Sequence, residues 1–267
     1  MIENDKETIF KGMMKEWLDP PYIPVIAFGG AGAHFLKSFE RLLSIYKNEN
    51  DPEDFSNIFT MYVNTKQETS MDTFPFSKTV LITNSVLGLH SDTNGYVEVG
   101  EKIVEDNFDD IFNTYSGKIS INLRKADAVV LVAAFGGGMG TGGIKEAIKL
   151  ISLDFPSLPI FPVIVMPFSF ENRGINLKDE IEEVLKVDKK PTVIKNSEFL
   201  HLEENKKMKF SDLLEEINYN VAKKIIDIIL HVKNEKENVF KELYGKIFEE
   251  EFQEAVSSQY IKEIKTF

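Results

Sequence analysis

Residues 126–143, Ala-Asp-Ala-Val-Val-Leu-Val-Ala-Ala-Phe-Gly-Gly-Gly-Met-Gly-Thr-Gly-Gly, run an unbroken apolar stretch straight into a glycine-dense turn. The apolar part, Ala128 to Ala134, has the continuous character of a parallel strand covered on both faces. A helix-like segment, Ile144 to Ile151, follows the glycines. Glycines let the backbone approach a ligand closely and turn its N–H groups toward an anion, and the positive end of the following helix dipole adds to that field. The pattern predicts a phosphate cradle. It lacks the Gly-Lys-Ser/Thr of the lysine-containing P-loop.

Composition narrows the partners. The 267 residues carry a net charge of −12, which opposes a general nucleic-acid-binding role, since that normally needs a basic face. With no cysteine the chain has neither disulfides nor thiolate metal sites. His34, His90, His201 and His231 show no metal-ligand spacing, so no metal site is expected from them. The polar start is unlike a secretory signal, and no apolar stretch is long enough for a transmembrane segment, so a cytoplasmic protein is expected.

The order of elements reads as an α/β protein. Residues 1–20 form an N-terminal helical extension, with Ile9, Met13 and Trp17 on one face. Strands are expected at Pro24–Phe28, Ile58–Val63, Thr79–Thr83, 128–134, Ile160–Met166 and Val193–Ile194. Helices are expected at His34–Tyr46, Glu101–Phe112, Ile144–Ile151 and Phe210–Val232, with a polar loop over Gly88–Gly100. On the long helix, Leu214, Ile217, Val221, Ile225 and Ile228 have the spacing of a buried face, and Ser211 is the expected N-cap. Apolar strands alternating with helices predict a Rossmann-like parallel sheet flanked by helices. The last segment, 233–267, reads as a short helical tail.

A second glycine turn, Gly29-Gly30-Ala31-Gly32, follows the first strand. As a dinucleotide fingerprint from Gly30 it fails at the third glycine, where Phe35 stands. Nor does an acidic ribose ligand end the second strand, which runs into Asn64-Thr65-Lys66. A Rossmann-type NAD-binding oxidoreductase is therefore one alternative, and a nucleotide-free structural interaction module another. Two glycine turns about a hundred residues apart are better matched to one nucleotide whose phosphates cross several strand ends.

With both turns in place, the chain resembles the tubulin/FtsZ superfamily of GTP-binding proteins, most closely its FtsZ branch. The family's Gly-Gly-Gly-Thr-Gly-Thr/Ser-Gly signature is similar to Gly136-Gly137-Gly138-Met139-Gly140-Thr141-Gly142. Asn64-Thr65-Lys66 resembles its Asn-Thr-Asp, Tyr96–Gly100 its Pro-Glu-Val-Gly loop, Pro167–Asn172 its Pro-Phe-Ser-Phe-Glu-Gly stretch, and Asn196-Ser197 its Asn-Asp. The resemblance spans residues 23 to 232 and implies a nucleotide-binding domain over 21–232. It implies that Gly29, Gly30, Ala31, Gly32 and Gly136, Gly137, Gly138, Met139, Gly140, Thr141 and Gly142 hold the phosphates of GTP or GDP. Asn64 and Lys66 would lie near them, Thr141 would add a hydroxyl contact, Glu171 would take the ribose, and Asn196 with Asn220 or Asn218 the guanine. A bulky residue at Gly138 is expected to fill the phosphate volume.

The departures from the family pattern bear on turnover. Lys66 stands where the family has an Asp near the cation, so its ammonium either shares the role of Mg²⁺ as countercharge or points to solvent. The family's hydrolytic acidic pair is not recognisable in His231–Asn238, and the 35 residues after position 232 are expected to replace its second domain. The resemblance thus implies a guanine-nucleotide-binding switch or scaffold of cytoskeletal type with weak or absent hydrolysis, and leaves catalytic residues unassigned. Its partners would be a second copy, another FtsZ-like protein or an assembly protein.

Overall fold

The computed structural model describes residues 12, 18–49, 55–65, 78–81, 93–112, 121–171, 177–187, 191–202 and 207–264. The expectations for Lys66 and nearly all of the N-terminal helix lie outside the described residues. In chain order the elements are β1 (Ile23–Phe28), α1 (Gly29–Glu49), β2 (Ile58–Asn64), β3 (Lys78–Leu81), α2 (Val97–Asp106) and α3 (Phe108–Phe112). They continue with β4 (Val129–Ala134), α4 (Gly138–Asp154), β5 (Ile160–Met166), α5 (Leu177–Val187), β6 (Thr192–Lys195), α6 (Asn196–Phe199) and α7 (Phe210–Ile264).

The six strands make one sheet in the order β3-β2-β1-β4-β5-β6, and every neighbouring pair is parallel. The apolar runs explain this. β1 is buried at all six positions and β4 at five of six, which suits a sheet covered on both faces. On one face Ile26, Phe28, Met61, Val63, Val129, Leu131 and Ala133 form a continuous core with residues of α2, α3, α4 and α5. The alternate positions Val25, Ala27, Tyr62, Val130 and Val132 are buried on the other face. Helix α1 packs on β1, β2 and β4.

Three local departures from the expected pattern have physical causes. The first glycine turn is the opening of α1, and the second runs through Gly136 and the N-cap Gly137 into the first turn of α4. Gly29 (φ 75°) and Gly136 (φ 101°) adopt left-handed conformations, which lets the chain pass from strand to helix almost at once. The expected helix at 101–112 begins earlier, at Val97, and divides at Asn107. There Ile103 O accepts both the Asn107 side-chain amide at 2.7 Å and the Asn107 N–H at 3.2 Å, and Val104 O shares that N–H at 3.3 Å, the three-centre bonding of a helix end. Finally, α7 runs without a break for 55 residues, roughly 80 Å at 1.5 Å per residue. Its buried face uses Leu213 rather than Leu214, which is 38% exposed, together with Ile217, Val221 and Ile225. Ser211 lies inside the first turn of α7 and is not its N-cap.

Contacts divide the chain into two units, Tyr22–Ile229 and Met1–Pro21 with Leu230–Phe267. The first holds the sheet. In the second, Phe240 is buried and packs on Tyr244 at a ring separation of 4.7 Å, while Val239 and Leu243 are exposed.

Candidate functional site

Between β1 and β4 the strand order reverses direction, and in open parallel sheets the crevice beyond the strand ends at such a point is where ligands bind. Both glycine turns open there. The register sets Phe28 beside Ala133, so the residues that follow each strand emerge side by side. A Cβ built on Gly29 would lie 3.0 Å from Gly140 N and 3.2 Å from Gly140 Cα, so the two turns touch through backbone alone. They wall a cavity of about 370 Å³ together with Phe28, Asn64, Thr93, Gly95, Ala134 and Phe135.

The glycines divide into two sets. Gly137 has no atom within 4 Å of its Cβ position and lines the cavity, as do Gly30 and Ala31. At Gly138 and Gly140, whose backbone also lines the cavity, and at Gly142, which is not part of its wall, a side chain would instead meet protein. Their Cβ atoms would strike Tyr96 O at 2.4 Å, Ala134 O at 2.3 Å and Val97 O at 2.0 Å. The expectation that a side chain at Gly138 would fill the phosphate volume is therefore corrected: it would strike the turn preceding α2. Gly32 likewise faces inward, 3.0 Å from the Ala27 Cβ.

Thr141 is fully buried, and its Oγ accepts from Gly136 N–H at 3.0 Å. The hydroxyl thus holds the turn in shape from behind, and neither it nor Gly142 is part of the cavity wall. Met139 reaches the wall, yet it is buried and joins the core. Asn64, at the end of β2, donates from Nδ2 to the Tyr62 hydroxyl at 2.6 Å and accepts Thr65 N–H on Oδ1 at 2.9 Å. Both ends of its side chain thus hold protein partners while the residue lines the cavity, and no carboxylate ends β2 to hold a ribose in the manner of a dinucleotide site. Among the described residues no carboxylate lines the cavity, and no group of three His, Asp or Glu is arranged to hold a metal ion.

The remaining candidates stand at the same edge of the sheet. Glu171, just after β5, closes a turn: its Oε1 accepts Phe168 N–H at 3.1 Å while its own N–H donates to Phe168 O. Ser169 N–H donates to Ser197 Oγ at 2.9 Å, tying the end of β5 to α6. Asn196 opens α6, and its Oδ1 is buried without a hydrogen-bond partner. A buried acceptor left unpaired costs about 1–3 kcal/mol, so this oxygen marks a place where a donor belongs. After β5, Phe168 and Phe170 stack at 5.0 Å, and Phe210 packs on Phe168 at 5.4 Å.

Asn220 lies on α7. Its Nδ2 donates to Glu216 O and Glu216 Oε1, both at 2.9 Å, on its own helix. The alternative, Asn218, lines a second cavity of about 390 Å³ with His34, Lys37, Arg41, Asp212, Glu215 and Glu216. His34 follows Gly30 by one helical turn on α1, so α1 contributes to the wall of both cavities. Sequence reading missed this pairing. Its signal was present as two stripes, His34, Lys37 and Arg41 on α1 and Asp212, Glu215, Glu216 and Tyr219 on α7, each at helical spacing.

No protein-family profile matches the sequence, and no curated protein matches it. Solved structures do. The empty FtsZ dimer of M. jannaschii is similar at 18% identity and a TM-score of 0.65, over 85% of this chain and 59% of that one. A GTPγS-bound protofilament of CetZ2 from Haloferax volcanii is similar at 19% identity and a TM-score of 0.61, over 80% and 59%. TubZ of Clostridium botulinum phage c-st follows at 16% and 0.53, over 74% and 58%. The fold is tubulin/FtsZ-like, and the chain spans about three fifths of the length of these proteins.

Proposed function

We propose that this chain binds a guanine nucleotide, GTP or GDP, and serves as a switch or scaffold in an assembly of cytoskeletal type, with weak or absent hydrolysis of its own. The observation that carries the reading is the backbone contact of Gly29 with Gly140, which makes one amide-lined cavity from two turns more than a hundred residues apart. Phosphates in that cavity would meet the first turns of α1 and α4, both of which present unpaired N–H groups.

Base choice follows from hydrogen-bond chemistry. Guanine offers two adjacent donors, N1–H and the exocyclic amino group, where adenine offers a lone pair at N1. The unpaired Asn196 Oδ1 and the carboxylates of the second cavity, Asp212, Glu215 and Glu216, are acceptors, and acceptors favour guanine. Glu171 is the ribose-side candidate. Mg²⁺ would enter as the counter-ion of the phosphates, and Lys66 would share that charge. Weak hydrolysis is supported by a cavity whose described wall holds no general base. Glu237, on the segment where the acidic pair was sought, is engaged by Lys233 and Lys241 along α7.

The domain reading is a nucleotide-binding domain over 21–232, an extension over 1–20 and a tail over 233–267. Its partner is a second copy, an FtsZ-like relative or another assembly protein. A cytoplasmic location is proposed alongside the finding that no helix among the described residues is long and apolar enough to cross a membrane.

The test is to heat-denature purified protein, identify any released nucleotide by chromatography, and titrate GTP, GDP, ATP and NAD by calorimetry. Selective guanine-nucleotide binding with little turnover is expected. Selective binding of NAD, or no nucleotide binding at all, overturns the reading.

A further inference from the structure

Helices α2 and α4 meet backbone to backbone. A Cβ on Gly100 would stand 2.1 Å from Gly138 O, and one on Gly142 would stand 2.0 Å from Val97 O. Helices normally hold their register by interlocking side chains, and this stretch of the seam has none to interlock. Register must be supplied nearby. Lys145, on α4 just beyond the seam, bonds through Nζ to Glu101 of α2 at 2.8 Å. The same Nζ bonds to Glu180 at 2.6 Å and Glu183 at 2.5 Å, both on α5.

An ammonium has three N–H donors, and here three carboxylates take them. Lys145 is only 11% exposed, so water screens these contacts weakly. One positive charge is shared by three negative ones, and the carboxylates also repel one another. Glu101 therefore competes with Glu180 and Glu183 for the same cation. Glu101 is one residue past Gly100, whose N–H donates to Tyr96 O, and Tyr96 N–H donates to Thr93 O. That short hydrogen-bonded path ends at Thr93 and Gly95 on the wall of the glycine cavity.

We propose that Lys145 is a positioning residue that sets how tightly α2 closes the rim of the cavity, and that α5 tunes this closure by drawing on the same ammonium. The effect on a ligand rests on the nucleotide-binding reading, whereas the effect on α2 does not. A partner that engages Glu183, whose side chain is 51% exposed, frees Lys145 for Glu101 and tightens the rim.

The test compares Glu101→Gln, Lys145→Met and the double variant Glu180→Gln/Glu183→Gln with the parent protein. Two quantities are read: amide hydrogen exchange across Val97–Asp106 without nucleotide, and the dissociation rate of a fluorescent GDP analogue. Glu101→Gln and Lys145→Met are expected to speed both by about tenfold, the scale of one charge-assisted hydrogen bond. The double variant is expected to slow both. Opposite signs in exchange, with no analogue binding to any protein, support the positioning role while removing the nucleotide reading. Faster α2 exchange in the double variant as well as in Glu101→Gln overturns the proposal, because the cluster is then an ordinary structural staple. If Lys145→Met does not fold, the two sets of carboxylate variants decide the matter alone.

Discussion

Replacing Gly142 by Ala puts a methyl carbon 2.0 Å from Val97 O, 2.8 Å from Glu101 N and 3.0 Å from Val97 C. A tolerable C···O approach is about 3.3 Å, so α2 must retreat by more than about 1 Å. Every obstructing atom is backbone, so no side chain can rotate out of the way. Overpacking of this kind costs about 1–3 kcal/mol, and the rigid contact places Gly142→Ala at the upper end. Alanine returns roughly 1 kcal/mol relative to glycine inside a helix, leaving a net loss of about 2 kcal/mol. For a domain of this size that lowers Tm by about 4–8 °C. Gly137→Ala is the matched control. Its backbone, φ −118° and ψ 151°, suits any residue, and its Cβ would stand in open space at the cavity wall. Stability should change by less than about 0.5 kcal/mol. Nucleotide affinity should nonetheless fall about 10- to 150-fold, because the methyl group displaces a phosphate from an amide bond worth about 1.5–3 kcal/mol. Thermal unfolding and calorimetric titration of both variants measure the two effects. If Gly142→Ala melts with the parent, or Gly137→Ala loses as much stability as Gly142→Ala, the division of the glycines into packing and lining sets is wrong.

Thr141→Val removes the acceptor for Gly136 N–H in a buried turn and should cost about 1–3 kcal/mol in urea unfolding, more than an exposed Thr→Val change. Asn196→Leu deletes an unpaired buried oxygen, so urea unfolding should show no loss of stability from that atom. The preference of this variant for GDP over ADP should fall about tenfold in competition binding, while a leucine variant that keeps the full preference refutes the base-reading role. The Lys145 cluster gives a pH window. Hydrogen bonding to Lys145 depresses the Glu183 pKa, with Lys186 adding to the effect, so its stabilisation is present above about pH 4.5 and is lost as pH falls through the lowered value. Burial lowers the Lys145 pKa, but the bonds from Glu101, Glu180 and Glu183 outweigh it and leave it raised. Its stabilisation is therefore complete below about pH 10.5 and is lost as pH rises through the raised value. The stability difference between the parent and Glu183→Gln in chemical unfolding should be largest above about pH 4.5 and shrink as pH falls through the lowered Glu183 value, and a difference that stays constant throughout acid titration contradicts the assignment.

The element order was legible because each strand is an apolar run and each helix has a periodic buried face, and both are local properties. The boundaries that moved did so for reasons outside local pattern. Val97 starts α2 because its backbone packs on Gly142 of α4, a contact between residues 45 positions apart. Leu213 rather than Leu214 is buried because the sheet unit decides which side of α7 faces inward. The glycine turns could be read as anion sites from composition alone. Which glycines face the cavity and which make room for backbone could not, because a glycine has no side chain to carry a polarity signal.

What residue order alone determined here is the alternation of buried strands with helices and the placement of flexible turns at strand ends, since both follow from burial periodicity and backbone freedom. The tertiary structure decided that the turns after β1 and β4 are neighbours, that Thr141 supports its turn from behind, and that the Asn220 amide nitrogen bonds within its own helix while Asn218 and Glu215 line a cavity with His34. Those outcomes depend on strand order and helix rotation, which are set by packing across long stretches of sequence. No residue encodes them by itself.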